Sequence, residues 1–134
     1  MEQKFKREIR SLEKIFDFIS GFSTANRIGD SDVFVIKFVV EEIFTNMVKY
    51  NSMSNKDILV SLRRHSNTLS ISLIDFDVDP FDLTKTEEVD IHQSLRERKV
   101  GGLGLHLVKK MVDKVDYEYK NRESRVTLTK TLEK

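Results

Sequence analysis

Glu42 and Asn46 stand four residues apart within the stretch from Asp30 to Tyr50, a spacing that stacks both side chains on one face of a helix. They share the sector of Val35 and Val39, at the margin of an apolar stripe made by Ile36, Val40, Ile43 and Met47. A carboxylate and a carboxamide placed there need partners, because an unsatisfied buried polar group costs on the order of 1–3 kcal/mol. The pair reads either as a polar patch on a helix surface or as groups that a ligand completes. In the second reading the Asn46 amide oxygen suits Mg²⁺, a hard cation that prefers oxygen and commonly bridges nucleotide phosphates. Glu42, one turn away, is placed to accept a proton from a hydroxyl attacking a γ-phosphate.

Two further features point to the same chemistry. The run Gly101-Gly102-Leu103-Gly104-Leu105 opens an apolar-periodic segment. Backbone without side chains approaches a phosphate closely, and the N–H groups at a helix start favour an anion. Asp75 follows Leu69, Ile71 and Leu73 in strict alternation, which sets it on the inward face at a strand end. A carboxylate there accepts a hydrogen bond from an exocyclic amine such as that of adenine. Each feature alone has a plainer reading: glycines breaking a loop, an aspartate starting a turn.

The elements that must hold these residues follow from periodicity. Leu12, Ile15, Phe16, Ile19 and Phe22 recur at three- and four-residue intervals and predict a first helix over Ser11 to Ile28, broken near Gly29. Asp30-Ser31-Asp32 offers N-cap chemistry for a second helix that runs to about Tyr50. Ile58, Val60 and Leu62, then Leu69, Ile71 and Leu73, alternate as strands do, with His65 to Thr68 as the hairpin between them. From Asp75 to Lys99 the pattern gives way to a polar connection of roughly two dozen residues, the length of a lid or binding segment. It ends in the basic run Arg96-Glu97-Arg98-Lys99. Leu105, Val108, Met111, Val112 and Val115 predict a third helix stripe, and Tyr117 to Lys120 with Arg125 to Leu132 an antiparallel pair. A single α+β layer pair, one domain over residues 1–134, accommodates all of them.

Composition narrows the function. With 134 residues and 39% hydrophobic content the chain suits one core. Lys and Arg number 23 against 22 Asp and Glu, a net charge of +1, so no broad field draws in nucleic acid. The sequence holds no cysteine, which excludes a disulfide framework and a zinc-thiolate site. The charged start from Met1 to Arg10 lacks the apolar centre of a signal peptide, and no stretch approaches the ~18 apolar residues of a membrane span. The expectation is a cytoplasmic protein without direct contact to membrane or nucleic acid. Neither a P-loop nor a dinucleotide fingerprint is present.

Taken together, the helix Glu-x-x-x-Asn, the strand-end Asp, the long connection and the Gly-Gly-x-Gly helix start resemble the ATP-binding fold shared by gyrase, Hsp90, histidine kinases and MutL. Glu41-Glu42-Ile43-Phe44-Thr45-Asn46 looks like the first nucleotide box of the stand-alone serine/threonine kinases that act as bacterial anti-sigma factors. Asp75 with Pro80-Phe81-Asp82 looks like their second box, and Gly101-Gly102-Leu103-Gly104-Leu105 like their third. The resemblance runs from Ile9 to Leu132. It implies a Bergerat-type two-layer α+β sandwich, in which a mixed, mostly antiparallel sheet is covered on one face by about three helices. It also implies ATP and Mg²⁺ as cofactors, Glu42 as general base, Asn46 as magnesium ligand, Asp75 as adenine reader, and Gly102 and Gly104 as part of the phosphate cradle. The implied partners are an antagonist protein of the anti-anti-sigma type, which receives the phosphate, and a sigma factor; a homodimer is expected. The chain departs from the pattern at Asp77, where the family usually has glycine. Asp75 and Asp77 both remain candidates for adenine, with strand alternation favouring Asp75. A non-catalytic module, gated by ATP or ADP, is the alternative to a kinase.

Overall fold

The computed structural model describes residues 1–51, 53–80 and 102–133. Most of the expected polar connection, including Arg96 to Lys99, lies outside them, as does Gly101. A short strand β1 (Glu2–Phe5) leads through a 3-10 turn at Ile9–Ser11 into helices α1 (Leu12–Ala25) and α2 (Asp30–Tyr50). The hairpin β2 (Ile58–His65) and β3 (Thr68–Phe76) follows, then helix α3 (Gly102–Met111) and the hairpin β4 (Lys114–Lys120) and β5 (Glu123–Thr131). The strands form one sheet in the order β1-β2-β3-β5-β4. Among the described residues all its pairings are antiparallel, where the resemblance implied a mixed, mostly antiparallel sheet.

Alternation decides which face of the sheet is covered. Leu69, Ile71 and Leu73 on β3 share a face with Val60 and Leu62 on β2 and with Val126 and Leu128 on β5, and all seven are fully or almost fully buried. Ile15, Ile19 and Phe22 of α1 and Ile36, Val39, Val40, Ile43, Phe44 and Met47 of α2 pack into the same core. Helix α2 is the hub, in contact with α1, α3 and β3. The opposite face of the sheet carries Ser70, Ser72, Thr127 and Thr129, with Ser72 and Thr127 hydroxyls 3.2 Å apart. Short hydroxylated side chains suit such a wet, pleated surface.

Three local readings change. The start of α2 is capped by Gly29 in an extended conformation without a side-chain hydrogen bond, whereas the sequence suggested a cap from Asp30-Ser31-Asp32. Asp30 and Asp32 sit one step later, in the first turn, where carboxylates complement the helix dipole; Asp32 turns inward and accepts the Glu133 N–H at 2.9 Å. Helix α3 ends at Met111, so Val115 belongs to β4 and packs on the core from the sheet. Strand β1 was not expected, because only Phe5 of its four residues is buried.

Candidate functional site

The second helix brings Glu42 and Asn46 to the core margin, as their spacing predicts. Asn46 is 3% exposed, and its Nδ2 donates to the Glu42 carbonyl one turn back at 2.5 Å. Its Oδ1 is buried with no hydrogen-bond partner among the described residues. An acceptor stripped of water and given nothing in exchange is costly, and it is the kind of oxygen a hard cation takes. Asn46 therefore fits a Mg²⁺ ligand by its own geometry.

Glu42 is half-buried beside the start of α3. A Cβ built on Gly104 would overlap the Glu42 carboxylate, at Oε2 and Cδ. Gly104 is thus needed for the volume it leaves empty, since it lies within a regular helix and its backbone is not in the left-handed region. The contact fixes the helix start and the carboxylate against each other. Burial, then the neighbouring Glu41 charge, push the Glu42 carboxyl above its ordinary value of 4.5, and Lys49 opposes them. A raised carboxyl pKa is the adjustment a proton acceptor working near neutrality requires. Gly104→Ala is expected to leave the fold intact, because the flexible end of Glu42 can give way. Thermal denaturation of the variant checks this.

Asp75 lies on the inward face at the end of β3, and it is wholly buried. Both of its oxygens are engaged. Arg7 Nη2 pairs with Oδ1, and Asn51 Nδ2 donates to Oδ2 at 2.7 Å. Arg7 also donates from Nη1 to the Met47 carbonyl and from Nε to the Lys56 carbonyl, each at 3.2 Å. Its charge thereby meets the C-terminal end of α2, where the helix dipole favours a cation. Ser54 ties the intervening loop down by donating from Oγ to the Phe76 carbonyl at 2.7 Å.

Asp77 faces elsewhere. Its φ of 57° is the left-handed backbone that a glycine would adopt freely, which accounts for the residue usual at this place. Its carboxylate is half-exposed and accepts from Arg122 Nε at 3.0 Å; Arg122 Nη1 reaches Asp79 at 3.1 Å. The Val78 N–H bonds the Arg122 carbonyl at 3.0 Å, and Tyr119 donates to the Val78 carbonyl at 2.8 Å. The exit of β3 is thus clasped to the β4–β5 hairpin, and the Asp77 charge is drawn away from Asp75.

Glu42, Asn46 and Gly104 are brought together, while Asp75 lies toward the far end of α2. Gly102 and Leu103 form the first turn of α3, and Leu105 is buried in the core. Sequence reasoning missed Arg7 and Asn51. Asn51 stood in a turn-rich break that gave no hint of a carboxylate partner. Arg7 was one cation in a charged run, although the parity of Gln3, Phe5 and Arg7 does set it on the core side.

The sequence profile described as a histidine kinase-like ATPase domain matches residues 5–130. No curated protein sequence matches significantly. Among solved structures, the RsbU and RsbW domains of a Mycobacterium tuberculosis protein are similar over 98% of the chain at a TM-score of 0.71 and 14% identity. The chain spans only 32% of that structure's length. The SiaB–SiaC complex from Pseudomonas aeruginosa gives a TM-score of 0.63 at 14% identity, over 98% of this chain and 88% of the other. The histidine kinase AdeS of Acinetobacter baumannii gives 0.57 at 11% identity, over all of this chain and 68% of the other. At such identities the likeness is one of fold.

Proposed function

We propose a function from one premise, that the chain belongs to the histidine kinase-like ATPase domain family: it is a single ATP-binding domain, residues 1–134, that transfers the γ-phosphoryl group to a serine or threonine of a small antagonist protein. The observation that carries this reading is the cluster of Glu42, Gly104 and the orphaned Asn46 Oδ1. Glu42 and Asn51 are separated by about 13 Å along α2, a distance that an extended nucleoside triphosphate spans. Asp75, beside Asn51, would take the base, and Asn46 with the start of α3 would take the phosphates. There Gly102, Leu103, Gly104 and Leu105 would form the cradle; Gly101, which the resemblance adds to it, lies outside the described residues. Bound Mg²⁺ would be held by the Asn46 oxygen and neutralise phosphate charge.

In the transfer, the acceptor hydroxyl oxygen forms a bond to the γ-phosphorus as the bond to the ADP oxygen breaks. The hydroxyl proton goes to the Glu42 carboxylate, and ADP leaves with the bridging electron pair. Positioning and charge neutralisation supply most of the acceleration in such reactions. Among the described residues no helix is long and apolar enough to cross a membrane, and a cytoplasmic setting fits an ATP-dependent regulator. The neighbour solved as the SiaB–SiaC complex supports a protein partner. The finer reading is a partner-switching anti-sigma kinase that also holds a sigma factor and works as a homodimer.

The test is isothermal titration with ATP, with and without Mg²⁺, followed by transfer from γ-labelled ATP to a purified antagonist domain bearing a serine at a helix start. Saturable binding and labelling are expected, and no binding at millimolar ATP would remove the reading. Asn46→Ala is expected to abolish the gain in ATP affinity that Mg²⁺ confers, while weak metal-free binding persists. A second reading is a nucleotide-gated module that transfers nothing, and the labelling assay separates the two: under it ATP binds but no acceptor is labelled.

A further inference from the structure

Asp75 has no exposed surface, and the Arg7 side chain that covers it is only 6% exposed. No base can touch that carboxylate while both present partners stay in place. Asn51 is the fixed one: it caps α2, with its N–H bonded to the Met47 carbonyl at 3.1 Å and its carbonyl accepting from Ser54 N–H at 3.1 Å. Arg7 is the one that can be displaced, at the cost of its bonds to the Met47 and Lys56 carbonyls. It follows a four-residue strand that, among the described residues, lies at the sheet edge and pairs with β2 alone, and short edge elements open at the lowest cost. Beside it lies a cavity of about 480 Å³ lined by Lys6, Arg7, Val48, Ser54, Asn55 and Asp57. That cavity offers the guanidinium both room and another carboxylate, Asp57.

We propose that Arg7 is an occluding residue of the nucleotide site, which competes with the adenine amine for Asp75 and swings toward Asp57 when ATP binds. The proposal rests on the assignment of adenine to Asp75. The closed state has Arg7 on Asp75; the competent state has it in the neighbouring cavity. ATP affinity is reduced by the fraction of molecules in the competent state, and a fraction of about 10% or less lowers it at least about tenfold. Binding also becomes coupled to the edge of the sheet, since β1 ends two residues before Arg7. Anything that grips β1 sets the nucleotide affinity.

The experiment compares the wild type with Arg7→Met by titration with ATP and with Mg²⁺-tripolyphosphate, which lacks a base. The expected result is at least about tenfold tighter ATP binding in the variant, with tripolyphosphate affinity unchanged. Unchanged or weaker ATP binding by a folded Arg7→Met overturns the occlusion and leaves the ATP reading standing. Failure of both proteins to bind ATP overturns the two together. Should Arg7→Met not fold, the ¹⁵N-labelled Arg7 Nε–H signal of the wild type decides. Loss of its exchange protection on adding ATP, but not tripolyphosphate, supports the swing, and an unaltered signal overturns it.

Discussion

Glu42→Gln is expected to lower phosphoryl transfer by about 100- to 10,000-fold, the range that a positioned general base contributes, and to leave ATP affinity unchanged. Glutamine has the same shape, so it still fills the space left by Gly104, but its amide accepts no proton. The pH profile gives a second readout. Because burial raises the Glu42 carboxyl above 4.5, wild-type transfer climbs with pH along a limb displaced upward from that ordinary value. That limb disappears in the variant. Stability follows with the opposite sign. A raised folded pKa means that the folded state holds its proton more tightly, so the contribution of Glu42 is full below 4.5 and is lost as pH rises through the folded value. The glutamine variant lacks this loss, and its denaturation midpoint gains on the wild type toward neutral pH. Transfer at the wild-type rate by Glu42→Gln would remove the base assignment and favour the nucleotide-gated module.

Asp75→Ala carries the largest expected effect on the fold. It removes the carboxylate that both Arg7 and Asn51 address and leaves a nearly buried guanidinium without its counter-charge. Breaking such a pair from one side costs about 3–5 kcal/mol, and urea denaturation measures it. Replacing both partners by apolar residues of similar volume is often neutral. The double variant Arg7→Met, Asp75→Leu should therefore recover most of the stability and still fail to bind ATP through its base. A single variant as stable as the wild type would show that the Arg7–Asp75 pair does not hold the end of β3 to the rest of the core.

The elements that carry the site were legible because each exposes one face to the core. The period of Ile36, Val40, Ile43 and Met47 located α2, and the alternation of Leu69, Ile71 and Leu73 located β3 and turned Asp75 inward. From those two elements the sequence also yielded the stacking of Glu42 over Asn46. The partners of Asp75 were not legible in the same way. Arg7 reaches it across 68 residues and Asn51 across 24, and neither local period nor composition encodes which cation covers which carboxylate. Strand β1 was hidden because it lies at an edge and buries only Phe5. Its pairing depends on the neighbouring β2 and not on a pattern of its own. The glycine run was recognised for its approach to phosphate, but the demand that Gly104 meets is set by a side chain on another helix, which only the packed structure reveals.

The shared volume at Gly104 and Glu42 binds the heredity of two distant codons. A lineage that acquires any side chain at position 104 must shorten or redirect the acid at 42, and one that loses the acid is released to fill 104. Homologues that keep the acid in this rotamer should therefore keep glycine at 104, and a designer who transplants one helix into another scaffold has to carry the other along.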